Sequence, residues 1–203
     1  MSKKRIGLYF GTFNPIHVGH LIIANHMVQY ADLDALWFVV SPQNPLKPKA
    51  SLLADYHRLA LVRVAVEDND HLEASNIEFD LPQPSYTIHT LVALTEKHPG
   101  YEFTIIMGED NLNTLQKWKN YEQILKGYSI LVYPRVESDE NLSVAQSKQS
   151  ELLQHPRVTM IDAPLMKINA SFIRKAIHEG RDVRYLLTQP VLSYVDEMNF
   201  YKG

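Results

Sequence analysis

The residues of this chain best suited to chemistry lie between Gly11 and His20 and read Gly-Thr-Phe-Asn-Pro-Ile-His-Val-Gly-His. They follow the apolar run from Ile6 to Phe10, which is typical of a buried strand. A glycine turn after a strand lets backbone amides approach a polyphosphate, and the next helix directs its positive N-terminus at the same anion. His17 and His20 are one helical turn apart and add two imidazole donors. The segment predicts a polyphosphate site; the alternative is an ordinary turn with two surface histidines.

A second segment with related chemistry runs from Ile168 to Arg174. Asn169 is a natural N-cap for the helix that follows, and Ser171 and Arg174 share the helix face beside its free amides. Arginine holds phosphate oxygens well because its guanidinium is always charged and forked. Taken alone, the segment is equally compatible with a capped helix that carries a surface arginine.

The stretch from Ser41 to Ala54 contains three prolines and two lysines. It is too long and irregular for a structural connector, so we expect a functional loop. Lys47 can reach a bound triphosphate as a mobile point charge, although lysines are common in surface loops. Six further histidines lack the spacing of metal ligands and are expected to be solvent-facing or structural: His57, His71, His89, His98, His155 and His178.

Composition narrows the possible functions. The chain has 203 residues, which fits one domain, and a net charge of −3 without a basic stripe, which argues against a large nucleic-acid interface. It has no cysteine, which excludes disulfides, thiolate nucleophiles and cysteine zinc sites and favours a reducing compartment. We recognise neither a signal peptide nor an apolar run of membrane-spanning length. We therefore expect a cytoplasmic protein with small-molecule ligands and no nucleic-acid or membrane partner.

Apolar runs of strand length alternate with helical patterns, which predicts βαβ units and a parallel sheet covered on both faces. We expect a doubly wound α/β fold over residues 1–203 as a single domain, with a C-terminal helical part (about 164–203) packed on it. Ligands of such folds bind beyond the carboxyl ends of the strands, where the strand order reverses. Strands are predicted at 5–10, 35–41, 71–79, 102–107, 128–133 and 157–161. Helices are predicted at 18–31, 55–67, 86–98, 110–116, 121–126, 143–154, 170–179 and 190–198.

Three of these segments resemble known motifs. Residues 11–20 resemble the GxFxPxHxGH signature of the nucleotidyltransferase superfamily, whose members transfer a nucleotidyl group from a nucleoside triphosphate. Residues 168–174 are similar to the ISSTxIR motif of the same superfamily, with Asn169 in place of its first serine. Residues 44–49 resemble the NPPHK loop of the bacterial nicotinate-nucleotide adenylyltransferases, with Leu46 in place of the histidine and Lys47 at the position of the cation.

Two further stretches resemble that family. Residues 84–88 are similar to the helix start that binds the nicotinate carboxylate, where Thr87 would cap the helix. Residues 108–112 resemble the GxDxL turn that contacts the adenosine ribose and the nicotinate nucleotide. Trp118 follows this turn, either to stack on a pyridinium ring or to cover the sheet edge. Arg135 lies at the end of a predicted strand, either near the same crevice or on the surface.

The resemblance implies adenylyl transfer from ATP to nicotinate mononucleotide, giving nicotinate adenine dinucleotide and pyrophosphate, with Mg²⁺ carried by ATP and no metal site on the protein. It implies that the catalytic residues are His17, His20, Lys47 and Arg174. It implies that ATP contacts Gly11, Thr12, Phe13, His17, His20, Gly108, Asp110, Ile168, Ser171 and Arg174. It implies that the pyridine nucleotide contacts Asn14, Lys47, Tyr86, Thr87, Asp110, Leu112, Trp118 and Arg135.

Three alternatives stay open at this point. Another adenylyltransferase of the superfamily, with nicotinamide mononucleotide or phosphopantetheine as acceptor, would share both phosphate motifs. A nucleotide-sensing module would bind without turnover. A Rossmann-type dehydrogenase is disfavoured because no G-x-G-x-x-G follows the first strand. The sequence does not decide the oligomeric state, and a homo-oligomer is compatible with it.

Overall fold

The structure, a computed structural model, describes residues 2–42, 52–135 and 151–203. Its strands are β1 (Lys4–Gly11), β2 (Ala35–Val40), β3 (Leu72–Ser75), β4 (Tyr101–Gly108), β5 (Ser129–Tyr133) and β6 (Val158–Met160). Its α-helices are α1 (Val18–Tyr30), α2 (Asp55–Val66), α3 (Thr87–Lys97), α4 (Glu109–Leu112), α5 (Tyr121–Gly127), α6 (Ala170–His178) and α7 (Gln189–Glu197). Short 3₁₀ helices occur at Ile77–Asp80, Leu115–Lys117 and Glu151–Gln154.

The six strands form one parallel sheet in the order β3-β2-β1-β4-β5-β6. The chain builds outward from β1 to β3, then returns to the other side of β1 with β4. The strand order therefore reverses between β1 and β4, and a crevice is expected at their carboxyl ends. This is the doubly wound α/β class predicted from the sequence.

Helices cover both faces of the sheet, which explains the apolar strands. All six residues of β2 are buried, as expected for a strand packed on two sides. On one face, α1, α2, α6 and α7 bury residues such as Met27, Val62, Ile173 and Val191 in one core. On the other face, α3, α4 and α5 contribute to a separate core that includes Leu91. The C-terminal helices thus share a core with the first two helices of the chain.

The predicted strand 71–79 is wrong beyond Ser75. Pairing with β2 stops at Ser75, and residues Ile77–Asp80 form a 3₁₀ helix instead. That turn buries the Glu78 carboxylate, whose oxygens accept hydrogen bonds from the hydroxyls of Ser85 and Thr90, each at 2.8 Å. The cause is a tertiary hydrogen-bond network that a local pattern does not reveal.

The α-helix observed in the region 110–116 is also shorter than the predicted one. The structure has four residues of α4, then a 3₁₀ turn at Leu115–Lys117. The Asn111 carbonyl accepts bonds from both the backbone N–H and the hydroxyl of Thr114, at 3.1 and 3.0 Å. Leu112 and Leu115 are both buried, and a tight turn places residues three apart on one face.

The other predicted elements agree to within two residues at each end, with one exception. Of the predicted helix 143–154, residues 143–150 lie outside the described part, and 151–154 form a 3₁₀ helix rather than an α-helix. In the ranges that the structure covers, no helix has the length and apolar character needed to cross a membrane.

Candidate active site

A cavity of about 430 Å³ lies at the carboxyl ends of β1 and β5, beside the strand-order reversal. Its size suits a small-molecule ligand. Four chain segments line it: residues 9–14 with 17, 19, 20 and 23; residues 110 and 111; residues 133–135; and residues 166 and 168–171 with 174, together with Leu52. The two phosphate motifs of the sequence therefore border one cavity, as predicted, although they are separated by about 150 residues in the chain.

The β1–α1 loop, residues 12–17, reverses the chain at the end of β1. Phe13 has a φ of +45°, which residues other than glycine rarely adopt. Its ring is buried among Tyr9, Phe38 and His20. A Cβ on Gly11 would come within 2.8 Å of the Phe13 ring. Glycine is therefore needed here for close approach, and only the main chain of Phe13 is placed to meet a ligand.

The two motif histidines form a stacked pair at the start of α1. Their ring centroids are 3.8 Å apart with an angle of 24° between the planes. The backbone N–H of His17 donates to Nδ1 of His20 at 3.3 Å. Because that nitrogen accepts, a neutral His20 carries its proton on Nε2. His20 is thus prepared to donate one hydrogen bond.

Both imidazoles are neutral at pH 7. Burial, together with the nearby charge of Arg135, lowers the pKa of His17 from 6.5 to about 4. Burial lowers the pKa of His20 well below 6.5, and the His17 ring and Arg135 act in the same direction. The Nδ1 atom of His17 is buried and has no hydrogen-bond partner among the described residues. The pair therefore offers polar ring atoms without fixed charge.

A pair of tyrosines forms part of the cavity wall. The hydroxyls of Tyr9 on β1 and Tyr133 on β5 are 2.9 Å apart and buried. Burial raises the pKa of both, so both stay protonated. One hydroxyl donates to the other, which leaves one proton for a ligand. Sequence reasoning did not select either residue; the available signal was a tyrosine near the carboxyl end of each of the two strands.

The second motif is built as its sequence suggests. Asn169 caps α6, with its side-chain oxygen accepting the N–H of Phe172 at 2.8 Å. Arg174 donates from Nη2 to the Ser171 hydroxyl at 3.2 Å and from Nη1 to the Asn14 carbonyl at 2.8 Å. Arg174 therefore ties α6 directly to the β1–α1 loop. It lies on the same side of the molecule as His20, the condition on which the predicted site depends.

An ion pair between the segments that follow β4 and β5 borders the same cavity. Arg135 Nη1 lies 2.8 Å from Asp110 Oδ2, and both side chains are about half exposed. A Cβ on Gly108 would meet Asp110 Oδ1 at 2.5 Å and Arg135 Cδ at 2.7 Å. Glycine at this position lets both charged side chains approach the strand end. Arg135 borders the crevice rather than lying elsewhere on the surface.

Four of the residues expected to contact the pyridine nucleotide do not line this cavity: Tyr86, Thr87, Leu112 and Trp118. Tyr86, not Thr87, is the N-cap of α3, so the predicted cap is displaced by one residue. The side chain of Leu112 is buried in the core formed with α3 and α5, which leaves only its main chain for a ligand. Trp118 is half-buried and packs against that core. Next to it, Lys119 Nζ lies 4.5 Å from the Tyr86 ring centre, so these two segments are neighbours.

Lys47 and Asn14 are two further residues expected to contact the pyridine nucleotide. Lys47 and the rest of the NPPHK-like loop lie outside the described residues. The side chain of Asn14, expected to bind substrate, is only 2% exposed and accepts hydrogen bonds inside the protein. Its main chain is the part that a ligand could meet.

One fully buried residue supports the cavity from behind. Arg58 of α2, only 1% exposed, donates to the backbone carbonyls of Thr12, Ser41, Pro42 and Leu53 at 2.7 to 3.0 Å. It holds the β1–α1 loop to the segments that flank residues 43–51. No motif in the sequence marked it, because its partners are main-chain atoms and three of the four are 16 or more residues away in the chain.

The lining residues also test whether the site fits a metal ion. Of the described residues that line the cavity, Asp110 is the single carboxylate, and it is engaged by Arg135. Among the described residues, no group of three or more histidine, aspartate or glutamate side chains could hold a metal ion. The donors present suit an ion that arrives on phosphate oxygens and keeps most of its waters.

Comparison with known proteins agrees with this geometry. The family model described as cytidylyltransferase-like matches residues 8–176. A Flavobacterium johnsoniae protein named "Probable nicotinate-nucleotide adenylyltransferase" is 56% identical over 198 residues, covering 98% of this chain and 99% of the relative. A Bacteroides fragilis protein of the same name is 42% identical over 187 residues, covering 92% of this chain and 89% of the relative.

A solved structure supports the fold. Nicotinic acid mononucleotide adenylyltransferase of Plasmodium falciparum, complexed with NaAD, superposes with a TM-score of 0.76 at 19% identity. The match covers 98% of this chain and 97% of that chain. Together, the family model and the relatives over nearly the full length show that this chain belongs to the cytidylyltransferase-like family and, within it, to the nicotinate-nucleotide adenylyltransferases.

Proposed function

We propose that this chain, as a single domain, transfers the adenylyl group of ATP to nicotinate mononucleotide, giving nicotinate adenine dinucleotide and pyrophosphate. The observation that carries the proposal is the convergence of His17, His20, Ser171 and Arg174 on one cavity at the strand-order reversal. The names of the relatives supply the acceptor.

The reaction needs no protein nucleophile. An oxygen of the acceptor's 5′-phosphate attacks the α-phosphorus of ATP in line, and the bond from that phosphorus to the bridging oxygen of pyrophosphate breaks. Catalysis then consists of holding the two substrates and stabilising the charge that develops on the phosphoryl oxygens. The protein needs fixed donors and cations, which are what the cavity wall contains.

Each side chain has a role set by its geometry. His20 donates from Nε2 to the triphosphate, and its partner His17 keeps it stacked in place. Arg174 supplies a permanent charge from α6, and Ser171 beside it adds a hydroxyl. Asp110 is proposed to accept a hydrogen bond from a ribose hydroxyl, and Arg135, its ion-pair partner, to donate to a phosphate. Lys47 is proposed as a further cation on the triphosphate.

A magnesium ion would enter on the nucleotide, held by phosphate oxygens rather than by a protein cage. When bound, it would neutralise part of the charge on the triphosphate and the leaving pyrophosphate. A cytoplasmic location and the absence of nucleic-acid partners stay predictions.

The deciding experiment compares acceptors. Purified protein is mixed with ATP, magnesium and one of three acceptors: nicotinate mononucleotide, nicotinamide mononucleotide or phosphopantetheine. We expect pyrophosphate release and the dinucleotide product with nicotinate mononucleotide at the highest kcat/KM. Preference for another acceptor would reassign the substrate, and ATP binding without pyrophosphate release with any acceptor would favour the sensing module.

A further inference from the structure

The C-terminal end of the chain reaches the β1–α1 loop from behind. Tyr201, the third residue from the end of the sequence, donates its hydroxyl to Asn14 Oδ1 at 2.8 Å. The same oxygen accepts the backbone N–H of Leu53 at 3.2 Å. Asn14 is only 2% exposed, so this junction of three segments is inside the protein. It lies directly behind the loop that borders the cavity.

The loop needs such support because, in the proposed function, its backbone amides bind phosphate. A backbone that binds an anion must present N–H groups and keep its carbonyl oxygens away, since these oxygens repel the anion. The Thr12 carbonyl is bound by Arg58 at 2.7 Å, and the Asn14 carbonyl is bound by Arg174 at 2.8 Å. Two arginines thus fix the carbonyls, while the side-chain oxygen of Asn14 is held by the Leu53 N–H and, at the shorter distance, by Tyr201.

The backbone around Tyr201 is shaped for this contact. After α7 ends, Asn199 and Tyr201 both have positive φ values, 53° and 63°. For a tyrosine this conformation costs free energy and persists only where other contacts hold it. Burial raises the pKa of the Tyr201 hydroxyl, with the charges of Arg174 and Arg58 opposing the shift, so the group stays a donor.

We propose that Tyr201 is a positioning residue for ATP: its hydrogen bond to Asn14 holds the β1–α1 loop in the conformation that presents amides to the triphosphate. The inference rests on the proposed function, since it assigns the triphosphate to this loop. Tyr201 is not among the described residues that line the cavity, and it acts through Asn14.

The test is the affinity for ATP measured by calorimetry without any acceptor, in wild type and Tyr201→Phe. The substitution keeps the ring and removes one hydrogen bond, for which we expect about five- to tenfold weaker ATP binding. In steady-state kinetics the KM for ATP should rise by a similar factor, while the KM for nicotinate mononucleotide stays within twofold.

Tyr194→Phe is the matched control. The Tyr194 hydroxyl lies 3.1 Å from His57 Nδ1, so it fastens α7 to α2 without touching the loop. We expect both variants to lower the melting temperature modestly and only Tyr201→Phe to weaken ATP binding. Equal ATP affinity in the two variants would overturn the proposal.

A double-mutant cycle with Asn14→Ala provides a second test. If Tyr201 acts through Asn14, the two substitutions together should weaken ATP binding by clearly less than the product of their separate effects. Independent effects would overturn the proposed route. If the wild-type protein binds ATP but transfers no adenylyl group to nicotinate mononucleotide, only the proposed acceptor is refuted. The Tyr201 proposal is tested by ATP binding alone, which needs no acceptor.

Discussion

The triphosphate side and the pyridine side of the proposed site are built in different ways. On the triphosphate side, the β1–α1 loop is bonded to α2 by Arg58, to α6 by Arg174 and to the C-terminal end by Tyr201. On the pyridine side, Tyr86 and Trp118 are half-buried and lie outside the cavity, and the contact between their segments is made by Lys119.

This difference separates two tasks. Groups that stabilise developing charge are most effective when they are fixed before the reaction, because no reorganisation is then needed. Groups that select an acceptor must distinguish it from similar molecules. They can lie on partly exposed segments with little effect on the stability of the fold. Changes on the first side should therefore affect turnover and stability, and changes on the second should affect the KM of one substrate.

The largest effect is expected from His20→Ala on the triphosphate side. Loss of a fixed donor to the phosphoryl oxygens should lower kcat by ~10²-fold or more while the protein stays folded. His26→Ala is the control, since His26 lies on the same helix but does not line the cavity. Circular dichroism and thermal melting check folding. Unchanged kcat in a folded His20→Ala protein would remove His20 from the proposed mechanism.

A smaller effect is expected on stability as the pH falls. The pKa of His17 is about 4 in the folded protein and near 6.5 when unfolded, so the unfolded state takes up a proton first on acidification. The free energy of unfolding should therefore decrease between about pH 6.5 and pH 4, by about 2 kcal/mol from pH 7.5 to pH 5 for this group alone. Denaturant titrations at the two pH values measure the change.

His17→Asn isolates that contribution, because it replaces the ring with a side chain that does not titrate. The variant should lose less stability than wild type over the same pH interval. The same pH dependence in both proteins would contradict the assignment of the buried neutral imidazole.

The smallest of these effects is expected from Trp118→Ala on the pyridine side. If the Trp118 ring stacks on the pyridinium, its loss should raise the KM for nicotinate mononucleotide by about tenfold. The KM for ATP should stay nearly constant, which is the reverse of the pattern expected for Tyr201→Phe. If both KM values rise together, Trp118 supports the core beneath the site and the two sides are not separable.

The sequence allowed prediction of the parts that follow local rules. The glycine turn after β1, the N-cap at Asn169 and the alternation of strands and helices are all encoded within a few residues. The convergence of the two phosphate motifs followed from the rule that parallel strands end at one edge of the sheet. The extension of β3 past Ser75 was wrong, because the Glu78 network replaces it there.

The residues that sequence reasoning missed share one property: their partners are distant in the chain. Arg58 binds carbonyls up to 46 residues away, and the hydroxyl pair of Tyr9 and Tyr133 spans 124 residues. Tyr201 and Asn14 are 187 residues apart. No local pattern reports such contacts, and a buried arginine bound only to main-chain oxygens has no partner residue type to search for.

The stacked, uncharged imidazoles of His17 and His20 have a consequence for the thermodynamics of ligand entry. A polyanion placed against them favours their protonated forms and thus raises their pKa values back toward that of an ordinary imidazole. Nucleotide uptake should therefore draw protons from the solvent, and its measured heat should vary with the ionisation enthalpy of the buffer. Mild acidification would then tighten nucleotide binding while it lowers the free energy of unfolding of the unliganded protein. These two opposite pH dependences would together limit the pH range in which the protein works.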